Sequence, residues 1–164
     1  IENKPYVSPR FPDILSRGAT VEEIQYVLNN FNCKGFCLDV GHAFCTAVSL
    51  GENQWEYLKR FQNLHPSCYH FSDGEFNNQI DIHYHIGQGD YDWEKVLKIV
   101  DNDKNITIEI RDRDNYKAVL SKISFNSGEC SISNDTDVAI FENLNYLIMD
   151  NTIKLLKKYY NEKK

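Results

Sequence analysis

The most constraining feature of this chain is a recurrence. Three short apolar runs carry a polar side chain near their ends, Asp39, His70 and Glu109, and with Glu2 taken as the mark of an earlier strand end the four follow one another at intervals of about 37, 31 and 39 residues. Between them lie segments with apolar residues at helical spacing. Intervals of that size fit one strand plus one crossover helix, so the pattern predicts an α/β fold built of successive βα units.

Parity within each run isolates the polar side chain. From Gly35 to Val40, residues Phe36, Leu38 and Val40 share one face and leave Cys37 and Asp39 on the other. In the run Cys68 to Phe71, Tyr69 and Phe71 oppose His70, and further on Ile106, Ile108 and Ile110 oppose Thr107, Glu109 and Arg111. Trp55, Leu58 and Phe61 predict one crossover helix, and Trp93, Val96, Leu97 and Val100 predict another. Ahead of these, Thr20 and Glu23 have capping-box spacing before an apolar stripe of Val21, Ile24, Val27, Leu28 and Phe31, ending near Asn32.

Length then limits the architecture. An eight-unit barrel takes about 250 residues, so 164 residues hold roughly four βα units of a partial (β/α)8 barrel. The chain has no initiating Met and enters a Lys4-Pro5 turn directly from Ile1-Glu2-Asn3. It is therefore expected to be a piece, completed by a missing N-terminal half or a complementary chain that covers its open sheet edges. The expected organisation is a half barrel over 1–124, including a packing helix around Tyr116, Val119, Leu120 and Ile123. A polar linker over 125–137 and a C-terminal helical extension over 138–164 follow.

Charge and cysteine usage narrow the setting. Eighteen Lys and Arg against 24 Asp and Glu give a net charge of -6, which steers polyanions away unless a local patch intervenes. No segment has the length and apolarity of a membrane span or a signal peptide, so no membrane partner is expected. The 5 cysteines sit largely in apolar runs, which fits a reducing, cytoplasmic compartment; Cys37, Cys45 and Cys68 read as packing residues.

The chemical signal lies in the co-occurrence of carboxylates and imidazoles. Asp39-Val40-Gly41-His42 puts an imidazole three residues past a strand-end carboxylate, with Gly41 letting the chain turn closely. Asp81-Ile82-His83, in the loop after His70, has the i,i+2 spacing that turns two side chains to one side of an extended segment. The same loop holds His85 and Gly87-Gln88-Gly89, which match neither a dinucleotide fingerprint nor a phosphate loop. Such a donor set suits a divalent metal, with zinc or manganese the expected ions.

The segments Ile1-Glu2-Asn3, Gly35 to Ala43, His70-Phe71-Ser72-Asp73, Asp81 to Gly89 and Ile106 to Ile110 together resemble the C-terminal half of the xylose-isomerase-like barrel superfamily. That superfamily includes sugar isomerases, sugar epimerases and endonuclease-IV-type enzymes. The resemblance implies a metal-dependent sugar or sugar-phosphate isomerase or epimerase with Glu2, Asp39, His70 and Glu109 as metal ligands. Glu2 and Glu109 would transfer protons, and His42 would touch a small carbohydrate substrate. It equally implies a rival in which His42, Asp81 and His83 join those four in a three-metal, zinc-type phosphodiesterase acting on abasic DNA. Sugar epimerases commonly carry an Arg where His83 falls.

Charge favours the sugar reading. From Phe61 through Glu94 there is no Lys or Arg, while Asp73, Glu75, Asp81, Asp90, Asp92 and Glu94 lie around the inferred mouth, where a nucleic-acid track wants cations. Lys4, Arg10 and Arg111 are the cations available to an anionic group. A catalytically inactive half-barrel module for assembly is the third reading.

Overall fold

In a computed structural model of the chain, the described residues are 1–8, 13–101, 103–110, 154 and 157. The chain divides into two compact units, 1–110 and 111–164. In the second unit the described residues are Lys154 and Lys157, both helical and exposed. The expected packing helix around Tyr116 to Ile123, the linker over 125–137 and the remainder of the extension over 138–164 lie outside the described residues. So do Arg10 and Arg111.

The first unit is mixed α/β. Its elements run α1 (Val21–Asn30), β1 (Cys37–Asp39), α2 (Val40–Leu50), α3 (Gln54–Gln62), β2 (Cys68–Phe71), α4 (Trp93–Ile99) and β3 (Asn105–Ile108). The strands form a parallel sheet in the order β1-β2-β3, with Leu38 beside Tyr69 and Tyr69 beside Ile106. Glu2 adds a parallel bridge to Cys37 on the outer side of β1. These four parallel positions are what the described residues contain of the expected barrel.

Strand parity is as the alternation predicts. Phe36, Leu38, Tyr69 and Phe71 are buried against the helices, where Phe36 meets Phe61 at 5.9 Å between ring centroids and Phe71 meets Trp93 at 5.1 Å. Leu58, Phe61, Val96 and Leu97 complete this layer from α3 and α4. Each well-placed aromatic pair adds about 0.5–1.5 kcal/mol beyond its buried area, and truncating one ring to Ala in such a core costs about 3–5 kcal/mol.

One element departs from the sequence reading. Gly41 is not in a turn but in the first turn of α2, which follows β1 without a connecting loop. Residues Val40 through Ala47 are all buried, so this helix has no polar face and no amphipathic period to announce it. Gly51, at φ 69°, ends α2 in the left-handed conformation that glycine adopts without strain.

Helix α1 starts as predicted. Thr20 accepts from Glu23 N at 3.2 Å, and Glu23 Oε2 accepts from the backbone N–H groups of Gly18, Ala19 and Thr20 at 3.1, 3.1 and 3.3 Å. Phe31 caps the helix end and is exposed rather than continuing the buried stripe. Burial alone would raise the Glu23 carboxyl, but the Thr20 and Ala19 backbone donors outweigh it and hold it below the ordinary range. A depressed carboxyl stabilises the fold above its unfolded-state value and loses that contribution as pH falls through its folded value. Thr20→Ala should therefore cost about 1 kcal/mol in urea unfolding at neutral pH. Glu23→Gln should weaken the fold near neutrality and lose less stability than the parent when the pH is lowered to about 3. An unchanged acid dependence would exclude this account of the cap.

Candidate metal centre

The sheet register places the strand-end side chains. Asp39 pairs with His70 across β1 and β2, and Glu109, just past β3, is held by its N–H donating to Phe71 O at 3.0 Å. Glu2 arrives through its bridge to Cys37, and the neighbouring Asn3 fixes it there. The fully buried Asn3 side chain donates to Asp39 O at 2.9 Å and accepts from Asp39 N at 2.8 Å. Asn3 was not among the residues expected at the site; a lone Asn carries no periodic or ligand signal.

Asp39 is both the last residue of β1 and the N-cap of α2. Its Oδ1 accepts from His42 N at 2.8 Å, so the three-residue spacing from Asp39 to His42 is capping geometry that sets the imidazole over the strand end. Gly41 serves this approach through its missing side chain. A Cβ there would stand 3.2 Å from Ser72 Oγ, 3.4 Å from Asp39 Oδ1 and 3.5 Å from Asp81 Oδ1.

Two groups of donors result. Glu2, Asp39, His70 and Glu109 each offer an atom within 4.8 Å of the others, and so do His42, Asp81 and His83. The groups adjoin: His42 Nδ1 lies 3.4 Å from Glu2 Oε1 and 3.7 Å from Asp39 Oδ1, while its Nε2 lies 3.4 Å from Asp81 Oδ2. His83 links them again, with Nδ1 3.9 Å from Glu109 Oε1. His65 and His85 stand in neither group.

Asp81 and His83 meet, but not through the extended geometry their spacing suggested. His83 takes φ 60°, which turns its ring back so that Nε2 reaches Asp81 Oδ2 at 2.6 Å. His42, expected from the resemblance to touch substrate, lies deeper than the strand-end glutamates. Its side chain is 6% exposed and faces Asp81, whereas Glu109 is 43% exposed and Glu2 22%.

The donor chemistry fits a divalent cation on three counts. The fully buried Asp39 uses one oxygen as the cap, and its Oδ2 has no hydrogen-bond partner. His70 Nδ1 is 2.8 Å from Glu109 Oε2 yet makes no hydrogen bond, so the two atoms share a region without being aligned on each other. Finally, the rings of His42 and His83 each give Nδ1–H to a backbone carbonyl, Asn3 O and Glu109 O, both at 2.9 Å. That anchoring leaves Nε2 as the ligand atom, the usual arrangement behind a metal-bound imidazole.

Electrostatics match. Burial raises the Asp39 carboxyl above its ordinary value, with the nearby Asp81 charge adding to the effect. For His42, burial works against protonation, but Asp39 and Asp81 prevail and carry the imidazole up to about 9. His83 is raised in the same way by Asp81 against its own burial, and Asp81 is held low by His42 and His83 despite being buried. Of the cations named from the sequence, Lys4 is bound to Glu2 Oε2 at 2.9 Å.

No protein-family model matches the chain, and no solved structure matches it. Among curated proteins it is 34% identical over 94 residues to a probable endonuclease 4 of the Aster yellows witches'-broom phytoplasma (strain AYWB). The match takes in 51% of this chain and 32% of that relative, so the chain spans under a third of the relative's length.

Because a protonated His42 must lose a proton to bind a cation through Nε2, cation binding should release protons. Apparent affinity should rise as pH climbs from about 6 towards 8, since ever less of the free energy is spent on deprotonation. Calorimetric titration with zinc in two buffers of unequal ionisation enthalpy would read at least one proton released per chain. Identical heats in both buffers would rule out His42 as a ligand.

Proposed function

We propose that this chain supplies the C-terminal ligands of a multinuclear, metal-dependent phosphodiesterase of the endonuclease IV type, with an abasic nucleic-acid strand as substrate. The observation that carries the reading is the continuity of the two donor groups through His42. A single-ion sugar enzyme needs Glu2, Asp39, His70 and Glu109 alone. It leaves the buried cluster of His42, Asp81 and His83 without a chemical task. The identity to a probable endonuclease 4 adds weight from an independent direction.

Divalent ions, if held by these residues, would supply Lewis-acid stabilisation of phosphoryl charge and would activate water at neutral pH. The chain's own part is positional. Asp39 and Asp81 are buried carboxylates fixed by the α2 cap and by two imidazoles, so they set the depth of the site. Glu2 and Glu109, more open to solvent, are the groups able to take up a proton at the mouth. Lys4, paired with Glu2 Oε2 at 2.9 Å, is a cation placed to meet an incoming phosphate at the mouth.

Acidity at the mouth does not exclude an anionic substrate. The four carboxylate charges of Glu2, Asp39, Asp81 and Glu109 would be balanced by two divalent ions and exceeded by a third. The absence of Lys and Arg from Phe61 through Glu94 remains the one feature that favours sugar isomerisation or epimerisation. Completion of the catalytic barrel by further chain belongs to the same proposal.

Metal content decides between the readings. Anomalous scattering or elemental analysis should count two or more cations per chain, and His83→Ala or Asp81→Ala should each remove one while sparing the rest. On the complete enzyme, the same variants should lower incision of an abasic oligonucleotide by at least about 10–100-fold. One ion on Glu2, Asp39, His70 and Glu109, indifferent to His83→Ala, would move the assignment to sugar chemistry. No bound ion at all would leave an assembly module.

A further inference from the structure

Beside the ligands stands a carboxylate that binds none of them. Asp73 is buried, with 1% exposure, three residues past His70 at the root of the loop that carries Asp81 and His83. Its Oδ1 accepts from Gly74 N at 2.9 Å and from Tyr91 N at 3.3 Å, and its Oδ2 accepts from Gly87 N at 2.7 Å. One side chain thus ties the start of the loop to its far end. The backbone of Asp73 is joined in turn to Tyr84 by a pair of hydrogen bonds, Asp73 N to Tyr84 O and Tyr84 N to Asp73 O, both 2.8 Å.

Tyr84 directly follows His83, whose left-handed backbone is costly for a residue with a side chain and persists only where its surroundings impose it. The loop packs closely around Asp73: a Cβ on Gly89 would lie 2.5 Å from Asp73 Oδ1 and 2.2 Å from Gly74 O. Glycine is required at position 89 for that reason. Neither Asp73 nor Gly89 contacts the four strand-end donors through any of these bonds.

We infer that Asp73 is the positioning residue for Asp81 and His83: by clasping both ends of the loop it holds His83 in its strained, ligand-presenting conformation, while Glu2, Asp39 and His70 keep their places through the sheet. The inference rests on the proposed metal chemistry for its purpose but not for its test. It predicts that the two donor groups can be separated by a single substitution that touches no ligand.

The experiment uses the whole chain, with Asp73→Ala and the near-isosteric Asp73→Asn, and zinc alone as the probe. Equilibrium dialysis should show the cation that depends on His83 weakened by about 10–100-fold in Asp73→Ala, as when an outer-shell partner is lost, with the strand-end cation unchanged. Amide hydrogen exchange, which needs no metal, should show faster exchange at Gly87, Tyr84 and Tyr91 while β1 and β2 keep their protection. Asp73→Asn, which retains an acceptor oxygen, should fall between the parent and Asp73→Ala and serves if the latter does not fold. Equal weakening of both cations, or unchanged exchange at Tyr84 and Gly87 in Asp73→Asn, would overturn the inference. If the parent binds no zinc, the proposed function fails, and the exchange data still decide the role of Asp73.

Discussion

Asp39 is the residue on which the site and the fold both depend. Burying a carboxylate costs several kcal/mol unless its oxygens are satisfied, and here only one is, by the first turn of α2. The arrangement still joins three parts of the chain. Asn3 clamps the Asp39 backbone from one side, His70 pairs with it from the other, and α2 starts from its side chain. Its second oxygen is left pointing into the space that the other donors share. A stabilising role alone would use both oxygens; leaving one bare is a local sacrifice of the kind seen at reaction centres.

Much of this was readable from the chain because a parallel sheet buried on its helical face imposes a strict two-residue alternation. Phe36 and Leu38 sink towards the helices, so Asp39 must turn away from them, and the same logic fixes His70 between Tyr69 and Phe71. What escaped was whatever lacks a period. Helix α2 is buried along all of its first eight residues and so shows no stripe, and Gly41 in its first turn reads in sequence as a turn residue. The meeting of Asp81 with His83 was legible, but its cause was not: a positive φ at a histidine leaves no trace in spacing. Asn3 and Asp73 were invisible as site residues because each acts through backbone groups distant in sequence.

The two donor groups are held by different physics. Glu2, Asp39, His70 and Glu109 inherit their positions from hydrogen-bonded strands, where register fixes each side chain relative to its neighbour. Asp81 and His83 sit on a loop that must be folded against itself before it can present anything. Rings help there: Phe76 stacks on Trp55 at 5.0 Å and meets Phe44 at 5.2 Å, which pins the loop's outer part to α2 and α3. One donor group is thus borne by the sheet and the other in part by a loop, so a change in the loop need not disturb the strand ends.

Protons account for how such an acidic centre holds together. Asp81 lies between two imidazoles whose protonation it favours, and His42 extends that positive charge towards Glu2 and Asp39. The protonation favoured at His42 and His83 offsets the carboxylate charge around them and eases their mutual repulsion. Both Nδ1 atoms are anchored to backbone carbonyls, so the orientation of the two rings does not rest on Nε2. Histidine at positions 42 and 83 suits this arrangement because its charge can be given up within the ordinary pH range. Arginine, which keeps its proton at every accessible pH, could balance Asp81 but could never give way to a metal.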